Sequence, residues 1–265
     1  MESGKDKIML NTFYDIFNSQ FVSACLGALV GVFSTTLIAN YFNNKEKTVK
    51  EVRALNTAMT LNVDLLNVYL DLKRSNLSPL SQQYEKHCVE YNSKKNCTEK
   101  QEINLGSLSF ISPPKAFEAD LQVYVRDKLD SHFNALQLSI IIPRVKNLLD
   151  SEIIHRNELI KNQLNILDLE EWYFGKKDNK GVINNLYKDS VMGMMNYCDD
   201  VIFYSMELQK ELEKYGRILV KKYKLKPQDI LRINLGNLKD LEYYPKQDAE
   251  RFQSYINSRK RQNLQ

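Results

Sequence analysis

The sequence predicts an all-α membrane protein, in which a single N-terminal transmembrane helix continues into a cytoplasmic up-and-down helical bundle. The stretch from Ile16 to Asn44 runs 29 residues without a charge. Apolar residues then recur at steps of three and four, as in helices that bury one face. Only 9 glycines and 6 prolines occur in 265 residues, which is too few for a sheet protein with many tight turns.

The centre of the uncharged run, residues 21–42, has the length of one bilayer crossing. Ten of its residues are Leu, Ile, Val or Phe, and each favours insertion by roughly 0.3–0.6 kcal/mol at the helix centre. A buried helix of a soluble protein is the alternative, but such a helix rarely lacks charge for this long. A cleaved signal peptide has a shorter apolar region and ends in a small-x-small site, which residues 36–42 lack. We therefore predict a short tail over 1–20 and a transmembrane helix over 21–42.

The basic residues beside the span predict which way it crosses the membrane. Membrane proteins keep the flank richer in Lys and Arg on the cytoplasmic side. Two basic residues precede the span, Lys5 and Lys7, and four follow it, Lys45, Lys47, Lys50 and Arg53. We expect the protein to lie in the inner (plasma) membrane with its C-terminal domain in the cytoplasm.

Residues 43–78 are predicted to form a juxtamembrane helical rod, because no Gly or Pro lies between Gly31 and Pro79. Their apolar stripe consists of Val49, Val52, Leu55, Met59, Val63, Leu66 and Leu70. The stripe suits either a coiled-coil contact with a second copy or the core of the chain's own bundle. Ser78-Pro79 then resembles an N-cap followed by a first-turn proline, which would open a new helix.

The remaining residues, 79–265, are predicted to form one cytoplasmic helical domain. A polar, aperiodic stretch near 92–112 is its principal loop. Helical order resumes after Pro113-Pro114, and Pro143 should break or kink the helix that follows. The glycine-flanked segment 175–181 indicates the turn of a helical hairpin.

The second arm of this hairpin is predicted to be the longest soluble helix, ending at Lys226-Pro227. Glu213 and Arg217, four residues apart, should form an ion pair on its outer face. Two shorter helices, near 228–243 and 246–261, would close the chain. The apolar stripe of the long helix consists of Ile183, Leu186, Val191, Met194, Cys198, Val201, Leu208, Leu212 and Leu219.

The predicted span carries small residues at every fourth position: Ser23, Gly27, Gly31 and Thr35. In lipid, small residues at this spacing allow two helices to approach until their backbones are in van der Waals contact. We expect this face to mediate self-association of the transmembrane helix. Ordinary use of Gly and Ala in a membrane helix is the alternative interpretation.

The segment from Arg126 to His132, Arg-Asp-Lys-Leu-Asp-Ser-His, resembles the Arg-x(4-6)-His signature of the HEPN ribonucleases. These enzymes are small helical bundles that act as dimers in bacterial defence and toxin systems. The resemblance covers these seven residues and the helical class. It implies that Arg126 would contact the scissile phosphate and that His132 would act as acid or base. An exposed Arg and a half-buried His, on a helix whose opposite face packs the core, are the alternative.

No other segment indicates a catalytic, metal or cofactor site. His87-Cys88 and Cys97 offer zinc-ligand side chains, but a structural zinc site takes four ligands, often in close pairs, so we predict no metal. The soluble cysteines, Cys88, Cys97 and Cys198, form an odd set and are expected to be free thiols. A phosphate-binding loop, a dinucleotide-binding turn and a serine nucleophile elbow are absent from the sequence. The net charge of +4 makes no strong case for nucleic acid as a partner.

We therefore expect a non-enzymatic, membrane-anchored protein that acts by binding, sensing or oligomeric assembly. Its expected partners are membrane lipid, a second copy of the chain and an unidentified cytoplasmic protein. In layout it resembles accessory effectors of bacterial anti-phage and abortive-infection systems. An anchored ribonuclease that uses Arg126 and His132, and a non-catalytic subunit of a larger membrane complex, are the competing hypotheses.

Overall fold

The computed structural model describes residues 20–94, 108–129, 133–163, 169–175, 181, 183–233, 243–245, 250, 252–253 and 255–257. At residues 20–23, 25–26, 94, 133, 163 and 169–171 the structure describes the backbone only. The described residues are almost entirely helical and contain no strand, so the prediction of an all-α helical bundle is confirmed. The chain divides into two compact units, Met1–Glu51 and Val52–Gln265.

The first helix, α1, spans Gln20–Leu72 and has 53 residues. A π-helical turn at Lys73–Leu77 leads directly into α2, which spans Ser78–Lys94. The prediction of a non-helical cap at Ser78 is wrong, because Ser78 has helical angles and donates its N–H to the Lys73 carbonyl. In a regular α-helix the ring of Pro79 would clash with the carbonyl four residues earlier. The wider π turn accommodates the ring without ending the helix.

The middle of the chain forms a short helix, a second π turn and a long helix. Helix α3 spans Glu118–Val123, the π turn spans Tyr124–Lys128, and α4 spans Phe133–Gln163. Pro143 lies inside α4 and does not end it, so of the predicted break or kink the break is not formed. Proline has no N–H, so one backbone hydrogen bond of the helix is lost. Burial of apolar side chains on both sides of the proline offsets this loss: Leu138, Ile142, Leu149 and Ile153 are at most 1% exposed.

The long helix α6, Leu186–Tyr223, follows the short helix α5, Leu169–Phe174. Gly175 and Gly181, the two ends of the predicted turn, both have positive φ, +67° and +79°, a conformation that favours glycine. Residues 176–180 between them lie outside the described residues. Helix α6 ends because Lys224 adopts the left-handed conformation, with its N–H bonded to the Val220 carbonyl. The last helical residue, Tyr223, lies three residues before the predicted stop at Lys226-Pro227.

A helix near 228–243 is not formed over its described part. Pro227–Asp229 is a single 3₁₀ turn, and the backbone is non-helical over 230–233. The reason is Asn56 on α1, whose side chain donates to the Asp229 carbonyl at 3.1 Å and accepts from the Leu231 N–H at 2.9 Å. These bonds satisfy backbone groups that a helix would otherwise pair within itself.

The core of the second unit is formed by one face each of α1, α4 and α6. Leu55, Met59 and Leu66 of the predicted α1 stripe are at most 1% exposed, so this part of the stripe belongs to the bundle's own core. Seven of the nine predicted stripe residues of α6 are equally buried, whereas Ile183 and Leu186 are about half exposed. Near the C-terminus, Phe252 stacks on Phe203 of α6 with 3.9 Å between ring centroids.

Of the predicted loop near 92–112, residues 92–94 are helical, 95–107 lie outside the described residues, and 109–112 are non-helical. The non-helical backbone continues to 117, past the predicted restart at Pro113-Pro114, and it is tied to α4. Asn157 donates to the Ile111 carbonyl at 2.7 Å and accepts from the Ile111 N–H at 3.2 Å. Arg156 donates to the Ser109 carbonyl at 2.9 Å. Leu108 and Ile111 are buried beneath these bonds, and Phe110 between them is exposed.

Candidate functional site

Large hydrophobic side chains are exposed on every side of α1 in the first unit. Eight of them are 57–72% exposed: Leu29, Val30, Val32, Phe33, Leu37, Ile38, Tyr41 and Phe42. At about 100° per residue, these positions are distributed around the whole helix. A helix that packs on a soluble core is apolar along one stripe and charged or polar on the opposite face. This segment carries no charge on any face.

The predicted oligomerisation face, Ser23, Gly27, Gly31 and Thr35, lies on the same helix. A Cβ atom added to Gly27 or Gly31 would meet no atom within 4 Å, so the surface beside both glycines is open. The Thr35 hydroxyl donates to the Gly31 carbonyl at 2.7 Å, which satisfies it within the helix. The side chain of Ser23 lies outside the described residues.

The described residues include only one of the two residues of the ribonuclease hypothesis, which therefore stays a prediction. Arg126 lies in the π turn Tyr124–Lys128, and His132 lies outside the described residues. Arg126 donates from Nε to Asp127 Oδ1 at 2.6 Å and from Nη2 to Oδ2 at 3.0 Å. This pairing lowers the pKa of the Asp127 carboxyl. It occupies one edge of the guanidinium, the edge formed by Nε and Nη2.

His87 and Cys88 lie on α2, and Cys97 is outside the described residues. His87 Nδ1 is 3.0 Å from the Tyr173 hydroxyl, so this imidazole nitrogen is hydrogen-bonded to a core aromatic residue. Cys88 is a half-buried free thiol. Among the described residues, no three His, Cys, Asp or Glu side chains are grouped as metal ligands.

Buried charges connect helices within the second unit, and the apolar periodicity gave no sign of them. The Lys73 ammonium, in the π turn after α1, donates to Asp199 Oδ1 of α6, and both side chains are less than a fifth exposed. Lys146 of α4 bonds Glu118 at 3.0 Å and Asp150 at 2.8 Å. Buried ion pairs hold neighbouring helices in one register, because a slip would separate the charges in a medium of low dielectric constant.

Two further core groups lie near these charges. Burial, together with the nearby carboxylates of Asp150 and Glu118, raises the pKa of Tyr69. Burial likewise raises the pKa of the Cys198 thiol, which lies 3.5 Å from the Tyr69 carbonyl. A raised thiol pKa keeps Cys198 protonated and unreactive. Both residues therefore serve packing, in agreement with the predicted place of Cys198 on the apolar stripe.

A cavity of about 600 Å³ lies between the C-terminal half of α6 and residues 227–233; we call it the α6 groove. Its aliphatic floor includes Val220, Pro227, Ile230, Leu231 and Ile233. Four charged residues line it as well: Glu213, Arg217, Lys221 and Arg232. Three of these are cations, so the groove joins an apolar floor to a basic rim.

Two details of sequence shape the α6 groove. Gly216 allows Ile230 to approach α6, since a Cβ at Gly216 would lie only 2.9 Å from Ile230 Cγ2. The predicted ion pair between Glu213 and Arg217 is not formed, although both residues are described. Sequence reasoning missed the groove because its outer wall was assigned to a helix. Gly216, an isolated glycine inside a helical pattern, was the available signal of close packing.

Comparison with known proteins gives no relative for this chain: no protein family model, curated protein or solved structure matches it. Within the described part of the chain, no helix is both long and apolar enough to cross a membrane.

Proposed function

We propose that this chain is a single-pass membrane protein anchored by residues 21–42, and that its helical bundle acts in the cytoplasm by binding or oligomeric assembly. The observation that carries the proposal is the ring of eight exposed hydrophobic side chains over residues 29–42. Burying one Val, Leu, Ile or Phe side chain stabilises by about 1.5–3 kcal/mol. A bilayer would remove all of them from water, whereas a single protein partner would cover one side of the helix.

The length and polar groups of the segment agree with a span. As a helix, 22 residues extend about 33 Å, which matches the roughly 30 Å hydrocarbon core of a bilayer. The proposed span includes residues 21–23, 25 and 26, whose side chains lie outside the described part of the chain. Thr35 and Thr36 both donate their hydroxyls to carbonyls four residues earlier. Such bonds spare the hydroxyl groups the cost of being unpaired in hydrocarbon.

Assembly through the span is the second part of the proposal. In lipid the hydrophobic effect does not drive helices together, so association depends on close packing and interhelical hydrogen bonds. The open surface at Gly27 and Gly31 suits a second copy of the same helix. The basic residues that follow the span support a cytoplasmic bundle. There the bundle would meet its ligand or partner protein.

We expect the full-length protein to remain in the membrane pellet after carbonate extraction, and a chain lacking residues 1–44 to be soluble. In the full-length chain, Val32→Lys with Phe33→Lys should release the protein, because each lysine at a helix centre costs about 2.5–3.5 kcal/mol of insertion. Val49→Lys is the matched control, since Val49 is an exposed apolar residue beyond the proposed span. It should leave the protein in the pellet.

Carbonate release of the unmodified chain would refute the anchor.

The side of the membrane on which the bundle lies can be tested through the half-buried thiol of Cys88. A thiol reagent that cannot cross the membrane should label Cys88 only after the cells are lysed. Labelling in intact cells would place the bundle outside. Cys198 is uninformative in this test, because it is buried in the core.

We expect Gly27→Leu with Gly31→Leu to reduce the crosslinked dimer in membranes without affecting insertion. Two leucines would hold the helices apart and remove about 1 kcal/mol of packing, which corresponds to roughly a fivefold loss of dimer. Thr36→Leu, about half a turn away from Gly27, is the control and should crosslink as the unmodified chain does. Unchanged crosslinking of the glycine variant would assign assembly to the bundle instead.

A further inference from the structure

We propose that the α6 groove binds a single-chain anionic lipid of the fatty-acid type. Its alkyl chain would lie on the aliphatic floor, and its carboxylate would bind the guanidinium groups of Arg217 and Arg232. This inference goes beyond membrane anchoring, because the groove belongs wholly to the second unit and would need no bilayer to hold its ligand. Three properties of the groove carry the proposal: its charge, its walls and its rigidity.

The charge of the rim favours an anion. Arg217, Lys221 and Arg232 are exposed and have no hydrogen bond or ion pair to another described residue. Glu213 is the one described carboxylate lining the groove, so three positive charges face one negative charge. Arginine is suited to bind a carboxylate through two parallel hydrogen bonds. A ligand with one carboxylate would therefore reduce the excess positive charge of the rim.

The C-terminus of α6 lies beside the groove, and its dipole opposes an anion. Two features reduce the unfavourable effect of the dipole on an anion. The Val220 carbonyl in the last turn accepts from the N–H groups of both Lys224 and Leu225, so it is not left unpaired toward the groove. The charge of the three cations exceeds the partial charge of about −0.5 at the helix end.

The walls of the groove favour an alkyl chain over a nucleotide or another aromatic ligand. The lining contains no aromatic ring on which a base would stack and no amide side chain to read its edge. Its apolar members are Val, Ile, Leu and Pro, with Gly216 among them. The volume of about 600 Å³ is within the range of small-molecule sites, about 300–1,000 Å³.

The groove is preformed in this structure. Asn56 holds the outer wall by two hydrogen bonds to the backbone at Asp229 and Leu231. Gly216 brings Ile230 against α6, where Ile230 is buried. A wall that is already ordered loses little conformational entropy when a ligand binds.

The test uses the full-length protein in nanodiscs of zwitterionic lipid with palmitic acid that carries a diazirine at the chain end. Irradiation followed by mass spectrometry should place the label on residues 213–233. Arg217→Gln with Arg232→Gln should reduce this labelling by about tenfold or more, because each removes a charge-assisted hydrogen bond. Lys222→Gln is the matched control: Lys222 lies over the Tyr223 ring, 4.9 Å from its centroid, and does not line the groove.

Three outcomes would overturn the proposal. Equal labelling by the corresponding neutral monoglyceride would mean that the groove takes up apolar chains without reading their charge. Unchanged labelling of the double arginine variant would exclude the basic rim. Label confined to residues outside 213–233 would exclude the groove. Thermal unfolding of each variant must match the unmodified chain. Leu231→Ala, which removes an exposed side chain from the floor without altering the rim, should independently weaken labelling.

Discussion

Lys73→Ala is expected to lower the free energy of unfolding by about 3 kcal/mol, because breaking a buried ion pair leaves the other charge in a medium of low dielectric constant. The Lys73 and Asp199 side chains are only 7% and 18% exposed. For a chain of this size the loss corresponds to a fall in Tm of roughly 6–12 °C. Circular dichroism of the purified protein would measure it.

The neighbouring residue Arg74 provides the control. Its ion pair with Asp71 has both side chains 65% exposed, and exposed pairs contribute little, so Arg74→Ala should leave Tm nearly unchanged. Lys73→Met with Asp199→Leu removes both charges and should recover most of the lost stability. A double variant as unstable as Lys73→Ala would show that packing, not the charge, is responsible.

Arg156→Met is expected to destabilise the bundle by about 2–4 kcal/mol and to release the segment before α3. Arg156 is fully buried and bonds the Ser109 carbonyl at 2.9 Å and the Tyr187 hydroxyl at 3.3 Å. Methionine keeps the apolar stem but leaves the buried Tyr187 hydroxyl without a charged donor, at a cost of roughly 1.5–3 kcal/mol. The loss at the Ser109 carbonyl costs less, because Ser109 is exposed and water can replace the guanidinium there. Hydrogen exchange should therefore quicken over residues 108–117.

Lys161→Met on the same helix removes a cation from an exposed position, and it should alter neither Tm nor exchange. Faster exchange throughout the bundle in Arg156→Met, with none specific to residues 108–117, would contradict a tethering role for the guanidinium. If Arg156→Met had normal exchange over residues 108–117 and a normal Tm, this result would contradict the burial of Arg156.

The helices were predictable because their apolar residues follow one face. Val191, Met194, Cys198 and Leu208 of the α6 stripe are at most 1% exposed, as expected when every third or fourth residue faces a core. The prediction that Ile183 and Leu186 face the core was wrong, because they lie at or before the helix start, where periodicity carries little information. The turn predicted over 175–181 stays a prediction, because only its two flanking glycines are described; both have positive φ.

The errors lie where a distant residue overrides a local rule. Pro143 breaks an isolated helix, yet in α4 the buried apolar residues around it outweigh the lost bond. The backbone over 230–233 is held by Asn56, and no pattern within that segment could show it. The candidate site depends on the same contact, so the α6 groove was not predictable. An exposed Arg126 was one of the predicted interpretations, but its pairing with Asp127 was not predicted.

The hydrogen bonds of Asn56 also bear on when the bundle is completed. They join residues 173 and 175 positions apart, and contacts so distant in sequence are slow to form because a long loop must first be closed. In synthesis α1 emerges before residues 227–233. The outer wall of the groove can therefore be set only after residues 227–233 have been made. Occupancy of the groove would mark a molecule in which these distant contacts have formed.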